Sequence, residues 1–309
     1  MIEELKHILT ILAGRIQASP YGSTGVSLNH GLHFTGGEPF LNFELLRQGV
    51  EMAHQLGIPS LFVETNAFWC QNEEETLIKM RQLKEAGLSG MLVSVNPFIL
   101  ESVPFQRTAR AIQLGMNIFG QGLVVYQIEY FQQFRKLSLA GRMKLDEYIR
   151  RVGLREATGR IELLPIGRAV YTLTDWFRTY PASTFFGAPC THELSRTYHN
   201  HWDNYGNVLP GFCSGIALGN LCEQPGLYEE GLDLKQEYPL LKLLLETGVE
   251  GLYHFAQTHF GYQELTTGYV SQCHLCVDIR RHIVNHTQEF KELRPIEFYD
   301  HISNFSVNH

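Results

Sequence analysis

The chain has 309 residues, 44% hydrophobic and 18% charged, ordinary values for a globular protein and enough for one large α/β domain with a smaller appendage, or for two modest domains. A formal charge of −7 supplies no basic field for following a phosphate backbone, which argues against general nucleic-acid binding. No apolar run has the length of a membrane-spanning helix, and the opening MIEELKHILTILAGRI carries no small-residue cleavage site, so the expectation is a cytoplasmic protein with no membrane partner.

Residues 2–16 place Leu5, Leu9, Leu12 and Ile16 at helical spacing, and Ser19-Pro20-Tyr21-Gly22 then breaks the pattern. A short apolar strand, Gly31-Leu32-His33-Phe34, runs into Thr35-Gly36-Gly37-Glu38-Pro39. After it Phe43, Leu46, Val50 and Ala53 mark one face of an amphipathic helix ending near Gly57. Residues 60–64 form the next strand, and Asn72 with Glu75 makes a capping box for a helix carrying Leu77, Met80 and Leu83 and stopping at Gly87. Residues 90–95 (GMLVSV) have the continuous apolar character of a parallel strand buried on both faces, and residues 123–126 and 161–164 repeat the theme. Repeated βα units imply a doubly wound sheet or a full or partial barrel, with function on the loops at the C-terminal ends of the strands.

After Arg168 the rhythm fails, with Pro181, Pro189 and Pro210 among Gly-rich turns in place of long helices. A boundary near 170–188 divides a barrel-like domain, 1–175, from a cysteine-rich α+β tail, 176–309. Five of the six cysteines (Cys190, Cys213, Cys222, Cys273, Cys276) fall in that tail, and only Cys70 precedes it. In a reducing compartment such crowding points to a local metal site rather than a disulfide framework. Residues 199–202 and 208–209 flank Asp203-Asn204-Tyr205-Gly206-Asn207 as a hairpin that would bring Cys190 toward Cys213, and Cys273-His274-Leu275-Cys276 is a CxxC pair. Two pairs make a four-thiolate set, for which iron–sulfur and zinc are both suited by spacing.

The stretch LHFTGGEPFLNFELL, followed by FVETNAFW and GMLVSVNPF at successive strand ends, resembles the radical S-adenosylmethionine (SAM) superfamily. The resemblance implies a partial (β/α)6-type barrel missing its first strand. It assigns Gly36, Gly37 and Glu38 to the methionine amino group of SAM, with Pro39 starting the following helix, and Glu64, Asn66 and Ser94 to its carboxylate and ribose. Glu64 could equally cap its turn and Ser94 could be a satisfied core hydroxyl. Leu164-Pro165-Ile166-Gly167-Arg168-Ala169 resembles the sixth-strand segment that lies against adenine. The superfamily's CxxxCxxC loop, whose cluster opens one iron to SAM, has no counterpart among the six cysteines, so that first [4Fe-4S] cluster is expected only with a segment upstream of Met1.

The tail resembles the Twitch/SPASM domain, through Cys190, Gly206-Asn207-Val208, Cys213, Leu218-Gly219-Asn220 and Cys273/Cys276, with six residues in place of four between Gly206 and Cys213. This implies one auxiliary [4Fe-4S] cluster on Cys190, Cys213, Cys273 and Cys276, with zinc as the alternative. Cys222 is set aside as an inert thiol, and Cys70 is a weak catalytic candidate at a strand end. The implied activity is formation of a 5′-deoxyadenosyl radical for hydrogen abstraction from a peptide, protein or small molecule, with a flavodoxin or ferredoxin as reductant. The competing class is a non-catalytic, metal-stabilised protein that binds SAM or a partner.

Overall fold

The computed structural model describes residues 2–158 and 169–306. By internal contact the chain forms two compact units, Met1–Glu162 and Leu163–His309.

Unit 1 runs α1 (Ile2–Leu12), β1 (His33–Phe34), α2 (Phe43–Gln55), β2 (Phe62–Thr65), α3 (Glu73–Glu85), β3 (Gly90–Ser94), α4 (Pro97–Ser102), α5 (Phe105–Phe119), β4 (Leu123–Tyr126), α6 (Ile128–Lys136), α7 (Leu145–Val152) and α8 (Leu154–Thr158). The four strands pair in parallel and in sequential order β1-β2-β3-β4, with His33 opposite Phe62, Phe62 opposite Gly90 and Met91 opposite Leu123. Each crossover therefore steps to the adjacent position in one direction, and all strand C-termini lie along one edge of the sheet. Every residue of β3 is buried, which is what its unbroken apolar run requires.

Asparagines start three of the helices. Asn42, Asn72 and Asn96 accept hydrogen bonds from the backbone N–H of Leu45, Glu75 and Ile99 at 3.2, 2.9 and 2.9 Å. The apolar face expected on α2 is buried at Leu46, Val50 and Ala53, while α1 stops at Leu12, short of Ile16. The fifth strand and the adenine segment, residues 161–169, fall largely outside the described residues.

Unit 2 comprises α9 (Ala169–Thr172), α10 (Thr191–Leu194), β5 (His201–Trp202), β6 (Val208–Leu209), α11 (Leu227–Glu230), α12 (Pro239–Glu246), α13 (Gly248–Phe260), α14 (Gln272–His286) and α15 (Ile296–Ser306). The hairpin read around residues 203–207 forms, with His201 opposite Leu209 and Trp202 opposite Val208. The unit is more helical than its prolines and glycines suggested. Those residues concentrate between 181 and 231, and Pro239 sits in the first turn of α12, where its missing N–H costs nothing. The core stacks Leu240 and Leu244 of α12, Val249, Leu252 and Ala256 of α13, and Leu275, Ile279 and Ile283 of α14.

Candidate SAM turn and four-cysteine cavity

In unit 1 the chain leaves β1 through Thr35, Gly36 and Gly37, all exposed. Gly36 has φ of +113°, a conformation that glycine alone adopts without strain, and a Cβ added at Gly36 or Gly37 would meet no atom within 4 Å. Neither glycine hydrogen-bonds to another described residue. The turn thus presents open backbone at the C-terminal edge of the sheet.

Glu38 holds that turn in place. Its Oε1 accepts from Thr65 Oγ1 at 2.8 Å and from the Phe40 N–H at 3.3 Å, and its Oε2 accepts from the Asn66 N–H at 2.8 Å. Thr65 Oγ1 in turn accepts from Trp69 Nε1 and the Ala67 N–H, each at 3.0 Å, and Trp69 stacks on Phe40 with centroids 3.9 Å apart. The loop after β2 is itself tied down by α5, where Arg107 Nη1 donates to the Phe68 carbonyl and Arg110 Nη1 to those of Cys70 and Gln71. Burial pushes the Glu38 carboxyl above its ordinary range, with the nearby Glu64 carboxylate adding to the shift and the three hydrogen bonds opposing it.

Glu64 bridges neighbouring strand ends, accepting from Thr35 Oγ1 at 3.1 Å and from Ser94 Oγ at 3.0 Å. Asn66 turns its Oδ1 onto the Phe68 N–H at 2.9 Å, and Pro39 opens the single 3-10 turn Pro39–Asn42 ahead of α2. The structure therefore brings Gly36, Gly37, Glu38, Glu64, Asn66 and Ser94 to one edge of the sheet, with the polar side chains bonded to one another and the glycines left open. Cys70 is fully buried and burial pushes its thiol up to about 12, which suits a packed thiol better than a nucleophile.

In unit 2, Cys190, Cys213, Cys273 and Cys276 line one cavity of about 240 Å³, together with Leu244, Phe212, Gln272 and Arg280. Cys190 sits just before α10, its N–H donating to the Leu244 carbonyl at 2.9 Å. That approach needs the glycine at 248, where φ is +68° and a Cβ would lie 2.0 Å from the Ala188 oxygen. Cys213 follows the hairpin in a tight turn closed by its N–H on the Pro210 carbonyl at 2.9 Å. The CxxC pair lies in the first turn of α14. Ser271 Oγ caps it by accepting from the His274 N–H at 3.1 Å.

Helical spacing gives α14 two functional faces. Cys273, Cys276 and Arg280, at i, i+3 and i+7, line the cavity. His274, Asp278 and Arg281 occupy another stripe, where Asp278 accepts from Tyr262 and Tyr269 at 2.8 and 3.1 Å and pairs with Arg281 at 2.7 Å. This clasp fixes the rotation of the helix. Burial, then the proximity of the other thiols, pushes Cys190 and Cys213 up to about 12 and Cys273 to about 11. Among the described residues no three His, Cys, Asp or Glu side chains are gathered tightly enough to ligate a single ion as they stand. Cys222 is exposed, does not line the cavity and lies against Gly206.

Sequence reasoning missed Arg280. It is 2% exposed, and its Nη1 donates to the Ser214 carbonyl at 2.9 Å and to Tyr299 Oη at 2.7 Å, while its buried Nε has no acceptor. The signal was available: Arg280 stands one helical turn beyond Cys276 on the same face. No protein-family model matches the chain, and no curated protein matches it either.

Proposed function

We propose that this sequence forms the SAM-cradling sheet and the auxiliary iron–sulfur unit of a radical SAM-type enzyme. The observation that carries the reading is the convergence of Cys190, Cys213, Cys273 and Cys276, from three separate stretches of chain, on one cavity that also holds a buried guanidinium. Four thiolates suit a metal centre with no protein position left over, and a negatively charged centre suits Arg280. The four cysteines line one space. The resemblance of the tail to the Twitch/SPASM domain, rather than the spacing, favours an iron–sulfur cluster over zinc.

At the sheet edge, the exposed Gly36 and Gly37 backbone supplies groups that approach a small ligand closely, and Glu38 fixes their position while contributing negative charge near an ammonium. Gly36, Gly37 and Glu38 would hold and orient SAM, which would supply radical chemistry when reduced through a cluster with one open iron. Such an enzyme takes its electron from a flavodoxin- or ferredoxin-type reductant, and acts on a peptide, protein or small molecule.

The second reading is a non-catalytic, metal-stabilised protein that binds SAM at the same turn. Anaerobic reconstitution with iron and sulfide, followed by incubation with dithionite and SAM, separates the two. Residues 1–309 alone are expected to hold one cluster and release no 5′-deoxyadenosine, and the same residues extended by a CxxxCxxC loop are expected to release it. Silence from a cluster-loaded extended protein would favour the binding reading, and a protein devoid of stoichiometric metal would sink both.

A further inference from the structure

We propose that Arg280 is the fixed counter-charge and hydrogen-bond donor of the four-cysteine centre, and that it sets the centre's reduction potential. The inference rests on the four-cysteine reading and adds a role that the thiol pattern does not contain.

A guanidinium does not give up its proton in a protein, so Arg280 is a permanent cation in a site where it is 2% exposed. Its visible partners are neutral: the Ser214 carbonyl, Tyr299 Oη and the face of the Tyr299 ring, 5.7 Å away. Tyr299 cannot act as an anion at neutral pH, because its own hydroxyl donates to the Gly215 carbonyl and burial pushes its pKa up to about 12. Two carboxylates stand near: Asp278 faces the other stripe of α14 and is committed to Arg281, Tyr262 and Tyr269, and Glu193, which lines the same cavity, is paired with Arg196 at 3.0 Å. Among the described residues no carboxylate pairs with Arg280.

A buried charge without a counter-ion is costly, and a buried N–H without an acceptor adds to the cost. What Arg280 does have is the cavity. It lines the same space as the four thiols, contacts Cys276, and keeps its Nε–H unspent. A metal centre held by four thiolates is anionic and rich in sulfur acceptors, so it supplies both missing partners at once. The same logic fixes the redox consequence. Reduction adds a negative charge, and a fixed cation with N–H groups directed at sulfur stabilises the reduced form more than the oxidised one. Arg280 therefore raises the potential.

The test uses the full chain reconstituted anaerobically, with iron and sulfide content, circular dichroism and a spectroscopically monitored redox titration as readouts. Arg280→Gln is expected to retain a cluster that is harder to reduce. At fixed potential its ratio of reduced to oxidised centre should fall about tenfold, equivalent to about 59 mV for a one-electron couple. Arg280→Lys, which keeps the charge and loses the planar fork, should fall between the two, and it decides the matter if the glutamine variant does not fold. Folded, cluster-loaded variants with the wild-type potential would overturn the role of Arg280 and leave the four-cysteine site standing. A wild-type protein that binds zinc, or no metal, would overturn the cluster reading itself and this inference with it.

Discussion

At the turn after β1 every carboxylate oxygen of Glu38 and Glu64 already has a donor, whereas on α14 the buried Arg280 guanidinium still has one N–H, at Nε, without an acceptor. The first site is complete without its ligand: the protein's own polar groups hold the Gly36-Gly37 backbone where a small molecule could come and go. The second is incomplete, with four cysteines and a buried cation in a shared cavity, one of the cation's N–H groups having no acceptor. Ligand binding at the first should affect affinity more than folding. At the second, occupancy and folding should be coupled, because the occupant supplies charge balance that the chain lacks.

The contrast breaks most sharply at Cys273. If the four cysteines ligate one centre as proposed, Cys273→Ala, in the first turn of α14, should abolish stoichiometric metal, with marked loss of stability toward heat. Metal analysis alongside a thermal scan checks both, and retention of metal would remove Cys273 from the site. In unit 1 the equivalent blow is Thr65→Val, which preserves shape but leaves Trp69 Nε1 and the Ala67 N–H without their acceptor and strips one donor from Glu38. Denaturant unfolding should show a loss of about 1–3 kcal/mol, and calorimetric titration a weaker SAM affinity; a stable variant of unchanged affinity would show that the clamp does not position the turn.

A finer division lies within the turn. At Gly36 the positive φ penalises any side chain, so Gly36→Ala should cost about 1–3 kcal/mol of stability. Gly37 has no such constraint and its Cβ would project into open space. Gly37→Val should therefore leave stability within about 0.5 kcal/mol of wild type while weakening SAM binding, since the added side chain fills the space the ligand would use. Equal affinity for the two proteins would move the ligand elsewhere.

The sequence disclosed unit 1 well because its information is local. The strand read at 90–95 and the Asn72 cap each depend on a few adjacent residues, and the structure has them where the pattern put them. Unit 2 was legible only in part. The hairpin at 201–209 carried its own turn chemistry, but the helical state of Cys273 and Cys276 hid behind a spacing equally natural in a metal-binding turn. Arg280 was invisible for a different reason: burial of a charge is set by tertiary packing from α15 and the 213–216 turn, which no local pattern specifies. The bonding of Glu38 to Thr65 and Asn66 is likewise a contact across two strand ends, and spacing along the chain gave no hint of it.

The smallest expected effect tests whether the first site truly stands complete. Burial holds the Glu38 carboxyl above its usual 4.5, so the folded state binds this proton more tightly than the unfolded chain does. The sign follows: Glu38 contributes stability that is fully present below 4.5 and is lost as pH rises through its raised folded value. Compared with Glu38→Gln, which cannot ionise, the wild-type protein should gain stability as pH falls from neutral through that window. Carbon-detected NMR titration reads the same quantity directly as a Glu38 midpoint above 4.5. Saturating SAM should then lower that midpoint, because an ammonium beside the carboxylate favours its charged form. A midpoint that ignores SAM would mean that the ligand's cation sits away from Glu38, and would leave the carboxylate as a structural clamp whose whole task is to hold Gly36 and Gly37 open.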